Sequence, residues 1–356
     1  MLLDNKNIKQ LDGIRGISIL IVYLSHVGLG HLIPGGFGVT VFFFISGFLI
    51  AKLLLHEIQT THTINFVNFY IRRAFRLYPA LLFFTLTVVI ILLIHRVPLI
   101  TAQLGAALFY FENYFYVYFI NYQQEHPLWS TFKILWSLSI EEHYYLFYPL
   151  MLFWTYKHSA AHILLCTFLL IIPLLFRFYY VIQLKDPAIY EKYNYSLTHT
   201  RIDSILYGSL LAYLLYMSKH KERIYSILSS KLIFFISLLG LLLTFLWRDE
   251  AFRETLRYTI QGICLAPLIV HIVYATQRKI NWSLFANPIL VYIGKLSYSI
   301  YLFHWLAIPL STLYFAKYGL QWQLSVTIFT IVFSLFSFYK VEMPFVKLRK
   351  KFGSNV

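Results

Sequence analysis

The first long apolar stretch of the chain, LDGIRGISILIVYLSH, carries three ionisable residues, Asp12, Arg15 and His26. Ionisable side chains in a membrane-crossing segment are costly and usually functional. At about 100° and ~1.5 Å per helical residue, Arg15 and His26 differ by only ~20° of rotation but by ~16 Å of rise. Asp12 shares their face. We expect this helix to border a polar passage, although a capped helix end with His26 bonded to nearby backbone would give the same pattern.

A histidine in such a passage is a candidate general base. Its ordinary pKa of about 6.5 leaves the imidazole neutral near pH 7, so that it can take a proton from a hydroxyl group. Glu141 and Glu142 lie in another apolar segment, and one of them could hold the imidazole of His26 in its productive tautomer. Only one can face His26, because adjacent helical residues diverge by about 100°. Glu141 is favoured, since Ser137 and Tyr145 flank it at i±4; hydrogen bonding between helices is the alternative for the pair.

Three arginines, Arg72, Arg73 and Arg76, lie within about one helical turn just before a further apolar segment. Guanidinium groups bind phosphate oxygens through two parallel hydrogen bonds, so the cluster could hold a phosphate-bearing ligand. The same cluster could instead be a positively charged anchor that touches anionic lipid at the cytoplasmic end of a membrane span. Composition and position leave both interpretations open.

Two further groups of polar residues could belong to a functional site. Ser297, Tyr301 and His304 recur at i, i+4 and i+7 and so share one helical face. Hydrogen bonding between helices is the favoured interpretation for these three, and lining of a polar passage is the second. Arg201 and Asp203 lie at the start of a different apolar segment, where they could bind hydroxyl groups of a substrate or pair with neighbouring side chains.

The composition indicates a membrane protein. Hydrophobic residues make up 59% of the 356 residues, only 13% are charged, and the mean hydropathy is +0.65. Cys166 and Cys264 both lie in apolar runs, so neither a disulfide framework nor a cysteine metal site is expected. No histidine pattern has metal-ligand spacing, and we expect no metal. The net charge of +15 is dispersed over loops, which favours contact with anionic lipid over binding of nucleic acid.

Apolar segments of about 20 residues predict about ten membrane spans in one all-α bundle. Their approximate limits are 13–29, 37–55, 78–95, 134–156, 162–180, 202–216, 232–247, 257–275, 290–314 and 322–340. The segments on the side of the N-terminus hold 18 of the 30 Lys and Arg residues and the opposite segments hold 10, so the positive-inside rule predicts that both termini are cytoplasmic. We expect one transmembrane domain over residues 1–356, with no cleaved signal peptide and no appended soluble domain.

Five segments, in order along the chain, resemble acyltransferase family 3, whose members are integral membrane enzymes that move acyl groups from acyl-coenzyme A to carbohydrates and other extracytoplasmic acceptors. They are LDGIRGISILIVYLSH (11–26), GGFGVTVFFFISGFLI (35–50), FYIRRAFRLYPA (69–80), WSLSIEEHYYLFYP (136–149) and LSYSIYLFH (296–304). RIDSILYG at 201–208 and VEMP at 341–344 also resemble family positions. His143 departs from the family, which more often has Gln after the paired glutamates.

The resemblance implies an acyl-coenzyme A dependent O-acyltransferase, with acetyl-coenzyme A as the expected donor and no permanently bound cofactor. The catalytic candidates are His26, Glu141, Glu142 and Arg15. Arg73 and Arg76 match the family's R-x-x-R motif, whereas Arg72 is an extra cation that we expect to contact lipid. The donor-binding candidates are Arg73, Arg76, Arg15 and Asp12. The pantetheine arm of coenzyme A would extend ~16 Å along the helix from Arg15 to His26, and direct acyl transfer is favoured over a covalent intermediate.

The expected acceptor is a lipid-linked or membrane-anchored glycan, such as a bacterial O-antigen, capsule or exopolysaccharide repeat, at the outer face of a bacterial inner membrane. The acceptor-binding candidates are Arg201, Asp203, Tyr301, His304 and Trp136. The aromatic segment 109–129 could stack on sugars or could form an interfacial belt. Two other classes remain open: a transporter with an intramembrane proton or solute pathway, and an acyltransferase that modifies a lipid or a protein.

Overall fold

The computed structural model describes residues 8–119, 126–274 and 283–352, and all regular elements within these ranges are helical. The helices are α1 (Lys9–Leu24), α2 (Gly35–Thr61), α3 (Phe66–Ile94), α4 (Thr101–Leu108), α5 (Glu112–Phe119), α6 (Trp136–Thr155), α7 (Ser159–Leu184), α8 (Pro187–Ser196), α9 (Thr198–Arg201), α10 (Asp203–Tyr216), α11 (Lys221–Leu228), α12 (Lys231–Leu246), α13 (Glu250–Glu254), α14 (Leu256–Val273), α15 (Pro288–Thr312), α16 (Leu320–Phe336) and α17 (Met343–Arg349). The architecture confirms the prediction of an all-α membrane protein.

Each of the ten predicted spans coincides with a helix, but fewer helices meet a strict criterion for crossing a membrane. Within the described ranges, seven helical segments are long and apolar enough, or up to eight if the pair α11 and α12, bent by 62°, counts as one span. The shortfall has a physical reason: α10 has only 14 residues, and α6 carries Glu141 and Glu142 within its apolar run. The count of ten therefore stays a prediction.

Close backbone packing fixes the central helices. Gly47 of α2 lies directly against α10, where a Cβ atom would collide with the backbone carbonyl of Ile205. The missing side chain lets the two helices approach each other closely, as small residues do in membrane bundles. The buried core around them is rich in large aromatic side chains, including Phe43, Phe48 and Tyr144. The polar residues of α1, α6 and α15 are therefore surrounded by closely packed helices.

The first helix is not a straight α-helix over its full length. The α-helical part ends at Leu24. A π-helical turn, Ser25–Leu29, follows it directly, and Gly28 in this turn has a φ of 124°. Such π-helical turns are rare in proteins overall, but those that occur are often found at functional sites. The extra residue in the turn changes the direction of the neighbouring side chains. His26 lies in this turn. The rotation of about 100° per residue that the sequence prediction assumes therefore applies to the α-helical part that contains Arg15. It does not apply to the turn that contains His26.

Thiol labelling tests the predicted orientation of this bundle. In a protein lacking Cys166 and Cys264, an impermeant thiol reagent added to intact cells should label a cysteine at position Ile189 and spare cysteines at Thr61 and Lys221. Ile189 and Thr61 are exposed and Lys221 is partly exposed, so all three positions should label once the membrane is permeabilised. The expectation follows from the 18 to 10 distribution of basic residues. Labelling of Thr61 and Lys221 alone in intact cells would place both termini outside.

Candidate active site

A cavity of about 120 Å³ lies where α1, α2, α3, α6 and α15 meet. Arg15, Arg73 and Arg76 line it together with the carboxylate of Glu141, and it is termed here the arginine cavity. Three cations beside one carboxylate leave an excess of positive charge, which suits a ligand with several phosphate oxygens. Asp12 lies outside the lining, but its Oδ1 is 3.9 Å from Nη1 of Arg15. Asp12 is thus connected to the cavity through Arg15, and its part in donor binding stays a prediction.

The third arginine of the cluster behaves differently from its neighbours. Arg72 is 5% exposed, its Nη2 lies 3.5 Å from Oε2 of Glu57, and its Nη1 donates a hydrogen bond to the carbonyl of Phe352 at 3.0 Å. The expectation that Arg72 contacts lipid was wrong, because a residue one position from Arg73 points about 100° away, into the protein. Of the three arginines in this cluster, Arg73 and Arg76 line the arginine cavity and Arg72 does not.

The polar face of α15 binds the helices around it, as its spacing predicts. Nη2 of Arg15 donates a hydrogen bond to Oγ of Ser297 at 3.0 Å. One turn further along α15, the hydroxyl of Tyr301 lies 2.6 Å from Oγ of Ser137 on α6. Ser297 and Tyr301 also line the arginine cavity, so this face joins helices and borders the cavity at the same time.

His304, the third residue on that face, forms a hydrogen-bonded pair with His26. Nδ1 of His26 lies 3.1 Å from Nε2 of His304, and the ring planes differ by 17°. Nδ1 of His304 lies 2.9 Å from the carbonyl of Ile300. A carbonyl only accepts, so Nδ1 of His304 carries a proton and its Nε2, in the neutral ring, accepts from Nδ1 of His26. Nε2 of a neutral His26 is then left without a proton, as a general base requires.

A second cavity of about 260 Å³ adjoins this histidine pair and is termed the histidine cavity. His26, Trp136 and Trp305 line it. Val39 and Tyr301 line both cavities, so the two cavities meet at these residues. Arg15 and His26, predicted to lie at two depths of one passage, accordingly line successive cavities.

Glu141 lies with the arginines of the arginine cavity, whereas the sequence predicted that it faces His26. Ser137, Glu141 and Tyr145 all line the arginine cavity, so the predicted face of α6 is correct. The predicted bond between one of the paired carboxylates and the imidazole is not what the structure contains, because Nδ1 of His26 is bonded to His304. The face of a helix follows from residue spacing, whereas the partner opposite that face depends on how the helices pack.

Glu142 lies away from both cavities. Its neighbour in sequence, Glu141, takes the position on the cavity wall, and the two side chains diverge as adjacent helical residues must. Oε1 of Glu142 is buried and has no hydrogen-bond partner among the residues described. Of the two carboxylates, Glu141 lines the arginine cavity, and a catalytic role for Glu142 stays a prediction.

The predicted acceptor residues divide into two groups. Asp203 is fully buried and its Oδ2 accepts a hydrogen bond of 2.8 Å from Nη2 of Arg177, also fully buried. Arg201 is buried as well, with its guanidinium carbon 3.8 Å from the ring centroid of Tyr258 and Nη2 3.3 Å from Oγ1 of Thr40. Neither side chain is among the residues that line the histidine cavity, and both contact neighbouring side chains. Their role in acceptor binding stays a prediction.

The remaining acceptor candidates are Tyr301, His304 and Trp136. Tyr301 and Trp136 line the histidine cavity, where an acceptor beside His26 would lie. His304 is fully buried and its Nε2 is hydrogen-bonded to Nδ1 of His26, a position that suits orienting His26; its role in acceptor binding stays a prediction. The sequence indicated the face on which His304 lies but not its partner.

Sequence reasoning missed the charged residues of the histidine cavity. Lys133, just before α6, and Lys192 of α8 line its wall together with Glu191. Tyr116 of α5 also lines it, with the two ammonium groups 4.7 and 4.8 Å from its ring centroid. The aromatic segment 109–129 gave a signal for Tyr116. The lysines gave none, because they are single basic residues in separate segments.

Comparison with known proteins identifies the family. Residues 8–339 match the sequence model of the family 3 acyltransferase domain. This chain belongs to acyltransferase family 3. The family resemblance seen in the five motif segments is thereby confirmed, and Arg73, Arg76 and His26 all lie in the matched region.

Curated relatives of this family 3 acyltransferase carry related names. "Putative O-acetyltransferase SACOL0978" of Staphylococcus aureus strain COL is 32% identical over 363 residues, which cover 96% of this chain and 57% of the relative. "O-acetyltransferase OatA" of Staphylococcus aureus strain NCTC 8325 is 30% identical over 368 residues, with the same two coverages of 96% and 57%. The chain thus spans little more than half the length of these relatives. No solved structure matches it.

Proposed function

We propose that this protein transfers an acetyl group from cytoplasmic acetyl-coenzyme A to a hydroxyl group of a membrane-associated, extracytoplasmic glycan. The observation that carries the proposal is the pair of adjoining cavities, one lined by Arg15, Arg73 and Arg76 and the other by His26 with its free Nε2. Family membership and the O-acetyltransferase names of its relatives support the same reaction class.

The arginine cavity is the proposed site for the phosphates of the donor. Guanidinium forks on Arg73 and Arg76 match phosphate oxygens in number and geometry. Glu141 offsets one of the three positive charges, which lowers the repulsion among the arginines when no donor is bound. From there the pantetheine arm would pass the boundary formed by Val39 and Tyr301 and bring the thioester to His26.

The histidine cavity is the proposed site of transfer. Nε2 of His26 takes the proton of the acceptor hydroxyl as its oxygen attacks the thioester carbonyl carbon. The tetrahedral intermediate then collapses, the carbon–sulfur bond breaks, and the coenzyme A sulfur leaves with the proton returned by His26. His304 keeps His26 in the tautomer whose Nε2 can accept the proton, because Nδ1 of His304 is itself fixed by the carbonyl of Ile300. The products are an acetyl ester and free coenzyme A.

Arginine substitutions test the donor site. Arg73→Ala and Arg76→Ala should each raise the KM for acetyl-coenzyme A by about 10- to 100-fold, as loss of charge-assisted hydrogen bonds predicts. Lysine at either position should restore little, because it lacks the bidentate fork. Arg72→Ala is the matched control: it should lower thermal stability by freeing Glu57 but leave this KM unchanged. Equal effects on KM in all three alanine variants would point to general lipid anchoring.

Mass spectrometry of surface glycans tests the function as a whole. Cells that lack the gene should lose one acetyl substituent from a surface glycan, and a plasmid copy should restore it. Restoration should fail with a His26→Ala copy that inserts normally. A mass difference confined to lipids or proteins would change the acceptor class, and unaltered glycans, lipids and proteins would contradict the proposed transfer.

A further inference from the structure

We propose that the acceptor carries a negatively charged group, a carboxylate or a phosphate, near the hydroxyl that is acetylated, and that Lys133 and Lys192 bind that group in the histidine cavity. The inference rests on the proposed acetyl transfer and specifies the class of acceptor. The family motifs in the sequence do not include either lysine.

The two lysines form one cationic site. Both ammonium groups are held against the ring of Tyr116, with Nζ of Lys133 at 4.7 Å and Nζ of Lys192 at 4.8 Å from its centroid. Burial, followed by the charge of Lys133, lowers the pKa of Lys192. A bound anion would relieve this repulsion between the two ammonium groups. Glu191, the carboxylate on the same wall, is exposed and so offsets the lysines weakly.

The cationic site and the proposed base belong to one cavity. Lys133 and His26 both line its wall. When His26 takes the proton of the acceptor hydroxyl it becomes positively charged, and a neighbouring cation opposes that charge. An anionic group on the acceptor would balance Lys133 at that moment. The acceptor's charge should therefore increase turnover as well as binding.

The rest of the cavity wall suits a sugar that bears such a group. Trp136 and Tyr195 lie with ring centroids 4.6 Å apart, and the rings of Trp305 and His26 form a T-shaped pair with centroids 5.0 Å apart. Aromatic rings give the apolar faces of a sugar a packing surface, and tyrosine hydroxyls can bond its polar edge. Aromatic surface and paired cations in one cavity thus favour an acidic sugar over a neutral one.

Calorimetric binding to the purified protein in lipid nanodiscs tests this inference without relying on catalysis. Three probes are compared. They are a disaccharide ending in glucuronic acid, its uncharged methyl ester, and the corresponding disaccharide that carries a phosphate in place of the carboxylate. The acid or the phosphate should bind about 10- to 100-fold more tightly than the ester. Lys133→Met and Lys192→Met should remove this preference, and arginine at each position should retain it. Lys317→Met is the matched control, since Nζ of Lys317 lies 4.9 Å from the ring of Tyr318 outside both cavities.

Each outcome decides the question. Preference for the acid identifies a sugar carboxylate as the bound group, and preference for the phosphate alone identifies a phosphate. Equal binding of charged and uncharged probes, no binding of any probe, or an unchanged preference in both methionine variants would overturn the inference. Acetyl transfer is measured in parallel: charge-dependent binding without transfer would contradict the proposed function alone, and transfer without charge preference would contradict this inference alone.

Discussion

Substitution of His26 by glutamine should lower the turnover number for acetyl transfer by about 10²- to 10⁴-fold in a protein that still folds. Glutamine keeps a hydrogen-bonding group next to His304 but cannot accept a proton at neutral pH. The KM for acetyl-coenzyme A should change little, because Arg73 and Arg76 lie in the other cavity. The measurement is transfer of labelled acetyl from acetyl-coenzyme A to membrane glycans by the purified variant.

A second histidine provides the control for this experiment. His31 follows the π-helical turn closely in sequence and is exposed, so His31→Gln should keep the turnover of the unsubstituted protein. Thermal stability of both variants should match that protein. A well-folded His26→Gln protein with normal turnover would remove His26 as the base, whatever the fate of the donor site.

Local geometry explains why much of the site could be predicted. The 100° step of an α-helix fixes which side chains share a face, and so it correctly grouped Ser137, Glu141 and Tyr145 on the arginine cavity. The same rule correctly predicted cross-helix bonds for Tyr301 and His304 on α15. Long apolar segments likewise predicted the helices, because each membrane span must satisfy its backbone hydrogen bonds internally.

What the sequence could not provide is the register between helices. Glu141 was expected beside His26, yet it lies with the arginines, and the partner of His26 comes from α15. Nothing within α6 specifies which helix its polar face meets, because lipid and protein surroundings are equally apolar there. Asp203 shows the same limit, because its partner, Arg177, lies on a different helix, α7.

Local departures from ideal helices set a second limit. The π-helical turn at Ser25–Leu29 has no marker in the sequence beyond Gly28, which takes a positive φ. The turn decides how His26 faces the histidine cavity and its partner His304. A prediction based on uniform α-helix could therefore place Arg15 and His26 along one passage but could not place the imidazole within hydrogen-bonding distance of α15.

Substitution of His304 by leucine should lower the turnover number by about 10²-fold, with little change in the KM for acetyl-coenzyme A. Leucine cannot accept from Nδ1 of His26, so the imidazole loses the bond that fixes its tautomer and leaves a buried N–H group unpaired. His304→Gln should restore most of the turnover, because the amide oxygen can take the position of Nε2 and accept the same hydrogen bond.

The split between turnover and KM distinguishes positioning from a merely structural role. A structural defect would lower the amount of folded protein and the stability of both His304 variants, and glutamine would not rescue turnover selectively. Steady-state kinetics of the two variants, with thermal stability measured on the same samples, provides the comparison. Normal turnover in His304→Leu would mean that His26 keeps its reactive tautomer unaided, and the chain of hydrogen bonds from Ile300 through His304 would then have no part in the transfer.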